Sequence, residues 1–146
     1  MTFSSLEILI VPLVAGFLAQ AIKLLTDGIK GNFDFKHLWA SYGGMPSSHA
    51  AFVVALVTEV WFREGIGSSS FAIATIFALL VMRDALGLRM HLGHQGKAIN
   101  ELITKYYPEA KDAIPPLEER LGHTPAQIAV GALLGLCVAF TIHYIL

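Results

Sequence analysis

The stretch PAQIAVGALLGLCVAFTIHYIL, residues 125–146, contains no Asp, Glu, Lys or Arg. A helix that crosses a bilayer needs about 17–25 mainly apolar residues, so this stretch is long enough to span one. Three further segments share its apolar character, although the second is short for a full span: Leu6–Leu25, His49–Phe62 and Ser69–Leu88. Together the four segments predict an all-α, polytopic transmembrane helix bundle.

The composition of the whole chain agrees with this prediction. Hydrophobic residues make up 55% of the 146 residues and charged residues only 14%. The chain is therefore more apolar than an average soluble protein, and a soluble all-α bundle with buried helices is the weaker alternative. Residues 1–146 are expected to form a single domain. The net charge of −1 gives no reason to expect a nucleic acid partner.

The basic residues are unevenly distributed along the chain. Four spans place segments 26–47 and 89–124 on the same side of the membrane. Nine of the ten basic residues lie in these segments or at the span ends that open onto them: Lys23, Lys30, Lys36, Arg83, Arg89, Lys97, Lys105, Lys111 and Arg120. Because cytoplasmic loops carry an excess of Lys and Arg, this side is predicted to face the cytoplasm of a bacterial inner membrane, or its organellar equivalent. Residues 95–107 carry apolar side chains at helical spacing, which predicts an interfacial amphipathic helix.

Polar residues stand at the start of the second span, in SYGGMPSSHAAF, residues 41–52. Pro46 suits a helix start, and Ser47 or Ser48 is a suitable N-cap. The free N–H groups of such a helix start, with the positive end of the helix dipole, favour an anion. His49 on the first turn would face that anion. Taken alone, the stretch fits a plain capped helix with an incidental histidine equally well.

A second histidine precedes the last span, in LGHTPAQIAVGALLG, residues 121–135. His123 is followed by Thr-Pro, a typical helix start, and Gln127 stands one helical turn later, within reach of the imidazole. The alternative is a histidine that only caps a helix at the interface. The small residues of the same stretch give the last helix a face for close packing, which together with the short second span suggests a homodimer.

Charged residues end the first and third spans. In VMRDALGLRMHLGHQGKAIN, residues 81–100, Asp84 could pair with Arg83 and only anchor the helix at the headgroup level. Arg89 has the guanidinium fork that matches two phosphate oxygens. Lys23 and Lys30 follow the first span, where snorkelling lysines are the alternative interpretation. Cations, cap donors and histidines thus converge on one mouth of the bundle. Their convergence predicts a phosphate site.

Three of these motifs together identify a known superfamily. GGMPSSHAAF, RDALGLR and LGHTPAQIAVGALLG, in this order, resemble the small, divergent branch of the type 2 phosphatidic acid phosphatase superfamily, which is related to the vanadium haloperoxidases. The resemblance runs from about Lys23 to Gly135 and covers most of the chain.

The motifs differ from the superfamily pattern at several positions. Lys23-x6-Lys30 resembles its Lys-x6-Arg, and Pro46-Ser47-Ser48-His49 resembles its Pro-Ser-Gly-His. His123-x3-Gln127 resembles the His-x3-Asp half of the third motif, with Gln in place of Asp. The arginine expected six residues before that histidine is absent, and Arg89 is the substitute we predict.

The resemblance implies a phosphatase that uses no metal or other cofactor. His123 would be the nucleophile that forms a phosphohistidine, and His49 the general acid. Because Gln127 can orient His123 but cannot supply a negative charge, either Asp84 supplies it or the enzyme is slow. The phosphoryl oxygens would be held by these residues: Lys23, Lys30, Arg89, Ser47 and Ser48.

The position of the site at the headgroup level favours a phosphorylated lipid as the substrate. Phosphatidylglycerophosphate is the specific prediction, with phosphatidate and polyprenyl diphosphate as alternatives. Two other functions fit parts of the sequence. The chain could be an inactive anion-binding or lipid-binding membrane protein that keeps the phosphate cradle. It could also be a metal-assisted hydrolase that uses His91, His94 and Asp84.

Overall fold

The computed structural model describes residues 3–29, 44–110, 113–119 and 121–145 of the protein. These residues form five α-helices and one 3-10 helix, without a strand. The helices are α1 (Phe3–Ile29), α2 (Ser48–Glu64), α3 (Ser69–Leu86), α4 (Leu88–Tyr106) and α5 (Pro125–Ile145), and the 3-10 helix is Pro108–Ala110.

The second and third helices begin at serine caps and are separated by a glycine turn. Ser47 Oγ accepts a hydrogen bond from the N–H of Ala50, and Ser68 Oγ accepts one from the N–H of Phe71. Such caps satisfy N–H groups that have no partner within a helix. Gly65, with φ 79°, ends α2 and donates its N–H to the carbonyl oxygen of Trp61. The chain can therefore reverse between α2 and α3 within a few residues.

Helix α2 lies at the centre of the bundle, against α1, α3 and α5. Two glycines of α5 allow the closest of these contacts. A Cβ atom at Gly131 would lie 2.3 Å from the carbonyl oxygen of Ser47, and one at Gly135 would lie 2.3 Å from that of Ala51. The two backbones therefore touch, as small residues permit in membrane bundles. The cluster of buried residues between these helices consists only of alanine and valine: Val11, Ala15, Ala19, Ala51, Ala55, Val138 and Ala139.

The outside of the bundle is apolar. Within the described residues, three helical stretches are long and apolar enough to cross a membrane: Leu6–Thr26, Ser69–Tyr106 and Pro125–Ile145. Large apolar side chains such as Phe17 and Ile73 are about 70% exposed on these stretches. Helix α2 has 17 residues, about 26 Å at 1.5 Å per residue, and is enclosed by the others. The prediction of an all-α membrane bundle is confirmed.

The amphipathic helix is longer than the sequence predicts. Helix α4 begins at Leu88 rather than at Gln95, directly after a break at Gly87 that ends α3. The residues that the prediction left out, 88–94, contain Gly93, which interrupts the apolar pattern on which the prediction depends. Gly93 and Gly96 are both buried, because the backbone of Glu118, Glu119 and Leu121 lies against them.

Candidate active site

Four helix ends meet at one end of the bundle. The side chain of Lys23, near the end of α1, packs against Gly44, shortly before α2. The N–H of Ser47 at the start of α2 donates to the carbonyl oxygen of Gln127 in α5 at 3.1 Å. The N–H of His123, just before α5, donates to the carbonyl oxygen of Ala85 in α3 at 3.0 Å. We call this end of the molecule the site end.

The site end brings His49 and His123 together. Their ring centroids are 5.9 Å apart, and the ring planes are inclined by 72°. His49 lies on the first turn of α2 because Ser47 caps that helix. His123 is held through its backbone, because the break at Gly87 leaves the carbonyl oxygen of Ala85 without a helical partner. The histidines of two separate motifs thus face each other within one chain.

His123 is almost fully buried, with 4% of its surface exposed. Burial, together with the charges of His49, Lys23 and Arg89, lowers the pKa of His123 from 6.5 to about 4. The imidazole is therefore neutral near pH 7, as a nucleophile must be. The Nδ1 atoms of His49 and His123 are both buried, and neither has a hydrogen-bond partner within the described part of the chain. Few buried polar atoms in proteins lack a hydrogen-bond partner, and a catalytic role is one explanation for those that do.

Two cations flank the histidines. Lys23 is 6% exposed, and its stem covers Gly44, where a Cβ atom would lie 2.7 Å from Lys23 Cε. Gly44 also has a φ of 117°, so both its backbone and its neighbour exclude a larger residue. Arg89 is partly buried and donates from Nε to Asp84 Oδ2 at 2.7 Å. A buried lysine in a membrane protein is costly and is usually functional.

The remaining residues predicted for the site do not all contact the two histidines. Ser47 is the buried cap of α2, and Ser48 is its partly exposed first residue. Asp84 pairs with Arg89 and does not hydrogen-bond to His123 Nδ1, which is the contact needed to orient the imidazole. Lys30 lies outside the described residues.

Gln127 forms a capping box with Thr124. Its Oε1 accepts from the N–H of Thr124 at 2.8 Å, and Thr124 Oγ1 accepts from the N–H of Gln127 at 3.3 Å. Its side chain is thus directed to the helix start and not to the Nδ1 atom of His123. The Thr-x-x-Gln spacing was itself a signal for this cap.

The sequence predictions did not include two contributors to the site. The carbonyl oxygen of Ala85 fixes the backbone of His123, and no sequence pattern marks a backbone acceptor. Gly131 lets α5 approach the cap of α2; the sequence indicated close packing by the small residues of this helix but did not connect Gly131 with the site.

The metal-assisted alternative depends on residues that lie apart. His91 and His94 are exposed on α4, while Asp84 pairs with Arg89. Within the described ranges, no three His, Cys, Asp or Glu side chains form a group that could hold a metal ion.

Comparisons with known proteins agree with the motifs. A family model described as the divergent PAP2 family matches residues 5–138. The chain is also 38% identical to an "Uncharacterized membrane protein YuiD" of Bacillus subtilis (strain 168), over 90% of each chain. No solved structure matches the chain at a significant level. The chain therefore belongs to the divergent PAP2 family and is a membrane protein.

Proposed function

We propose that the protein is an integral membrane phosphatase that hydrolyses a lipid phosphomonoester through a phosphohistidine intermediate. One observation carries the proposal most directly. The ring centroids of His49 and His123, which belong to distant motifs, are 5.9 Å apart at one end of a membrane bundle. Lys23 and Arg89 lie beside them. Membership of the divergent PAP2 family supports the same reaction class.

The reaction would proceed in two steps at the phosphorus atom. Neutral His123 attacks phosphorus, so a P–N bond forms as the bond to the lipid oxygen breaks, and His49 donates a proton to that leaving oxygen. In the second step, His49 accepts a proton from water, which attacks phosphorus and breaks the P–N bond. Inorganic phosphate and the lipid alcohol are the products. No metal or other cofactor is needed for this route.

Positive charge at the site end would stabilise the transferring phosphoryl group. Lys23 and Arg89 lie within electrostatic range of both histidines. At the start of α2, the N–H groups of Ser47 and Ala50 already have protein acceptors, Gln127 and Ser47 respectively. The N–H groups of Ser48 and His49 are then the donors offered to the phosphate, and the positive end of the helix dipole adds to their attraction. Lys30 stays a predicted further contributor.

The roles we propose for Asp84 and Gln127 follow from their contacts. Asp84 holds the guanidinium group of Arg89 beside the site. Gln127 fixes the start of α5 directly after His123. His123 would then work without a carboxylate behind it, so its orientation depends on burial and on its backbone contacts.

The substrate class follows from the position of the site. The site end lies where apolar helices meet polar segments, which is the depth of lipid headgroups. We propose that the substrate is phosphatidylglycerophosphate and that the protein acts on it at the cytoplasmic face of a bacterial inner membrane or its organellar equivalent. The excess of basic residues towards this end supports the cytoplasmic orientation. A homodimer would have to use another face than Gly131 and Gly135, because α2 already occupies that face.

Release of inorganic phosphate from a panel of lipid phosphates by the purified protein in detergent tests the proposal. We expect His123→Ala to reduce release to background and His49→Ala to reduce it by about 10²–10⁴-fold. His94→Ala is the matched control, because this histidine is exposed on α4, and it should retain wild-type release. A wild-type protein inactive on every lipid phosphate, or an active His123→Ala variant, would contradict the proposal.

An anion-binding protein without turnover is the second candidate. The specific observation in its favour is that no carboxylate contacts the Nδ1 atom of His123 in the described structure. Binding of inorganic phosphate that depends on Lys23 and Arg89, without release from any lipid phosphate, would favour this candidate.

A further inference from the structure

The segment before His123 is fastened to helix α4. We define the strap as residues 113–119 and 121–123, which are the described residues that lead to the last helix start. The strap contains no helix or strand, and residues 113–119 are exposed. Burial of side chains therefore cannot fix where residues 113–119 lie. The position of this part of the strap depends on its contacts with α4.

Asn100 of α4 pairs with the backbone of the strap. Its Nδ2 donates to the carbonyl oxygen of Leu117 at 2.9 Å, and its Oδ1 accepts from the N–H of the same residue at 2.9 Å. Nδ2 also donates to Glu119 Oε1 at 2.9 Å. The amide thus satisfies both backbone groups of Leu117, which requires a side chain that carries a donor and an acceptor together.

Two glycines on the same face of α4 let the strap approach. A Cβ atom at Gly93 would lie 2.7 Å from the carbonyl oxygen of Glu119, and one at Gly96 would lie 2.9 Å from that of Glu118. Gly93, Gly96 and Asn100 are three and four residues apart, which places them on one side of the helix. This side of α4 is therefore shaped to receive the strap.

The strap ends at His123. Gly122 has a φ of 89° and lies against α4, where a Cβ atom would be 2.7 Å from the N atom of Met90. The next residue, His123, is bonded through its N–H to Ala85. We propose that Asn100 is a positioning residue for His123, because it holds the strap that places the imidazole beside His49. The proposal rests on His123 acting in the reaction proposed above.

The cations of the site are not carried by the strap. Lys23 belongs to α1, and Arg89 with its partner Asp84 lies where α3 meets α4. Release of the strap should therefore displace the imidazole while the phosphate-binding groups stay in place. For a positioning residue, this predicts a fall in kcat with little change in KM.

Two measurements on the full chain in detergent test the inference. The first is the pair kcat and KM for phosphate release from the best lipid substrate. The second is the rate at which diethylpyrocarbonate modifies His123, measured by mass spectrometry relative to exposed His94 in the same molecule. The second measurement needs no catalytic activity, and the internal reference separates local movement from a general change in reagent access.

We expect Asn100→Ala to lower kcat by about 10- to 100-fold, with KM unchanged within about twofold. The modification of His123 should become several-fold faster relative to His94, because the histidine is nearly buried in the wild type. Gln95→Ala is the matched control, since it removes an exposed amide from the same helix, and it should leave both measurements unchanged.

Gly93→Ala tests the same contact from the other side. It keeps the amide of Asn100 but pushes on the carbonyl oxygen of Glu119, and alanine favours a helix more than glycine does. We expect the same two changes. If the protein is active, the inference is overturned when both Asn100→Ala and Gly93→Ala keep the wild-type kcat. It is equally overturned when both variants keep the wild-type reactivity of His123. If the wild type releases no phosphate, the proposed function fails, and unchanged reactivity of His123 would separately overturn the positioning role.

Discussion

The chemistry proposed for His123 depends on its burial. Because its pKa falls from 6.5 to about 4 in the folded protein, the unfolded chain binds a proton between these values that the folded chain does not. Stability should therefore decrease as the pH falls from about 6.5 to about 4, and this contribution should change no further below pH 4. In a His123→Asn variant we expect this part of the loss to be absent. Melting temperatures in detergent from pH 4 to pH 8 measure the difference.

The comparison separates His123 from the acidic residues, which also titrate in part of this range. Only the difference between the wild type and His123→Asn is assigned to this imidazole. His94→Asn provides the control. His94 is exposed, so we expect this substitution to leave the pH profile of stability as it is in the wild type. If the His123→Asn profile runs parallel to that of the wild type over the whole range, the burial of His123 does not control its charge.

The close contact between α2 and α5 also fixes the site end. Gly131→Ala would place a methyl group 2.3 Å from the carbonyl oxygen of Ser47, the residue that caps α2 and leads to His49. We expect the variant to lose about 1–3 kcal/mol of stability, as overpacked cores do, and to lose phosphate release more steeply than stability. Thermal unfolding and phosphate release on the same preparation measure the two effects.

Two further glycine variants calibrate this prediction. Gly135→Ala meets the carbonyl oxygen of Ala51, one turn further from the histidines, so it should lower stability with less effect on phosphate release. Gly67→Ala lies in open space between α2 and α3 and should change neither. Equal effects of Gly131→Ala and Gly67→Ala would contradict the packing explanation.

Helices were easier to predict than the contacts between them. Each apolar run and each Ser or Thr cap is a local property, so the sequence indicated the spanning helices and the entrances that carry His49 and His123. The start of α4 was missed because Gly93 serves a distant backbone segment instead of the helix that contains it. Gln127 was assigned to His123, although the local capping box with Thr124 satisfies its amide more directly. Nothing in the local sequence marks Asn100 as the partner of Leu117.

The two ends of the molecule differ in chemistry. At the site end, Lys23 and Arg89 accompany the histidines. At the opposite end, Arg63 donates from Nε to buried Glu59 Oε1 at 2.6 Å and also pairs with Glu7. By sequence position, Arg63 is the one basic residue on that side, and two carboxylates neutralise it. The charge that decides orientation in a membrane is therefore concentrated at the site end.

This asymmetry predicts which end faces the cytoplasm. Cys137 is the single cysteine of the chain, so a Cys137→Ala background allows one new thiol at each end. We expect a membrane-impermeant maleimide to label Gly67→Cys, in the exposed turn opposite the site, in intact bacterial cells. Ala113→Cys, on the exposed strap at the site end, should react only after the inner membrane is permeabilised.

The labelling experiment also bears on the substrate. A site at the cytoplasmic face would receive a lipid phosphate from an enzyme that makes it inside the cell, whereas a site on the outer face would receive one that has first crossed the membrane. The unaltered Cys137→Ala protein should remain unlabelled in both conditions, which excludes reaction at other side chains. Labelling of Ala113→Cys in intact cells, with Gly67→Cys protected, would reverse the orientation. Phosphatidylglycerophosphate would then lose its support, while the paired histidines would still predict a phosphatase for lipids of the outer leaflet.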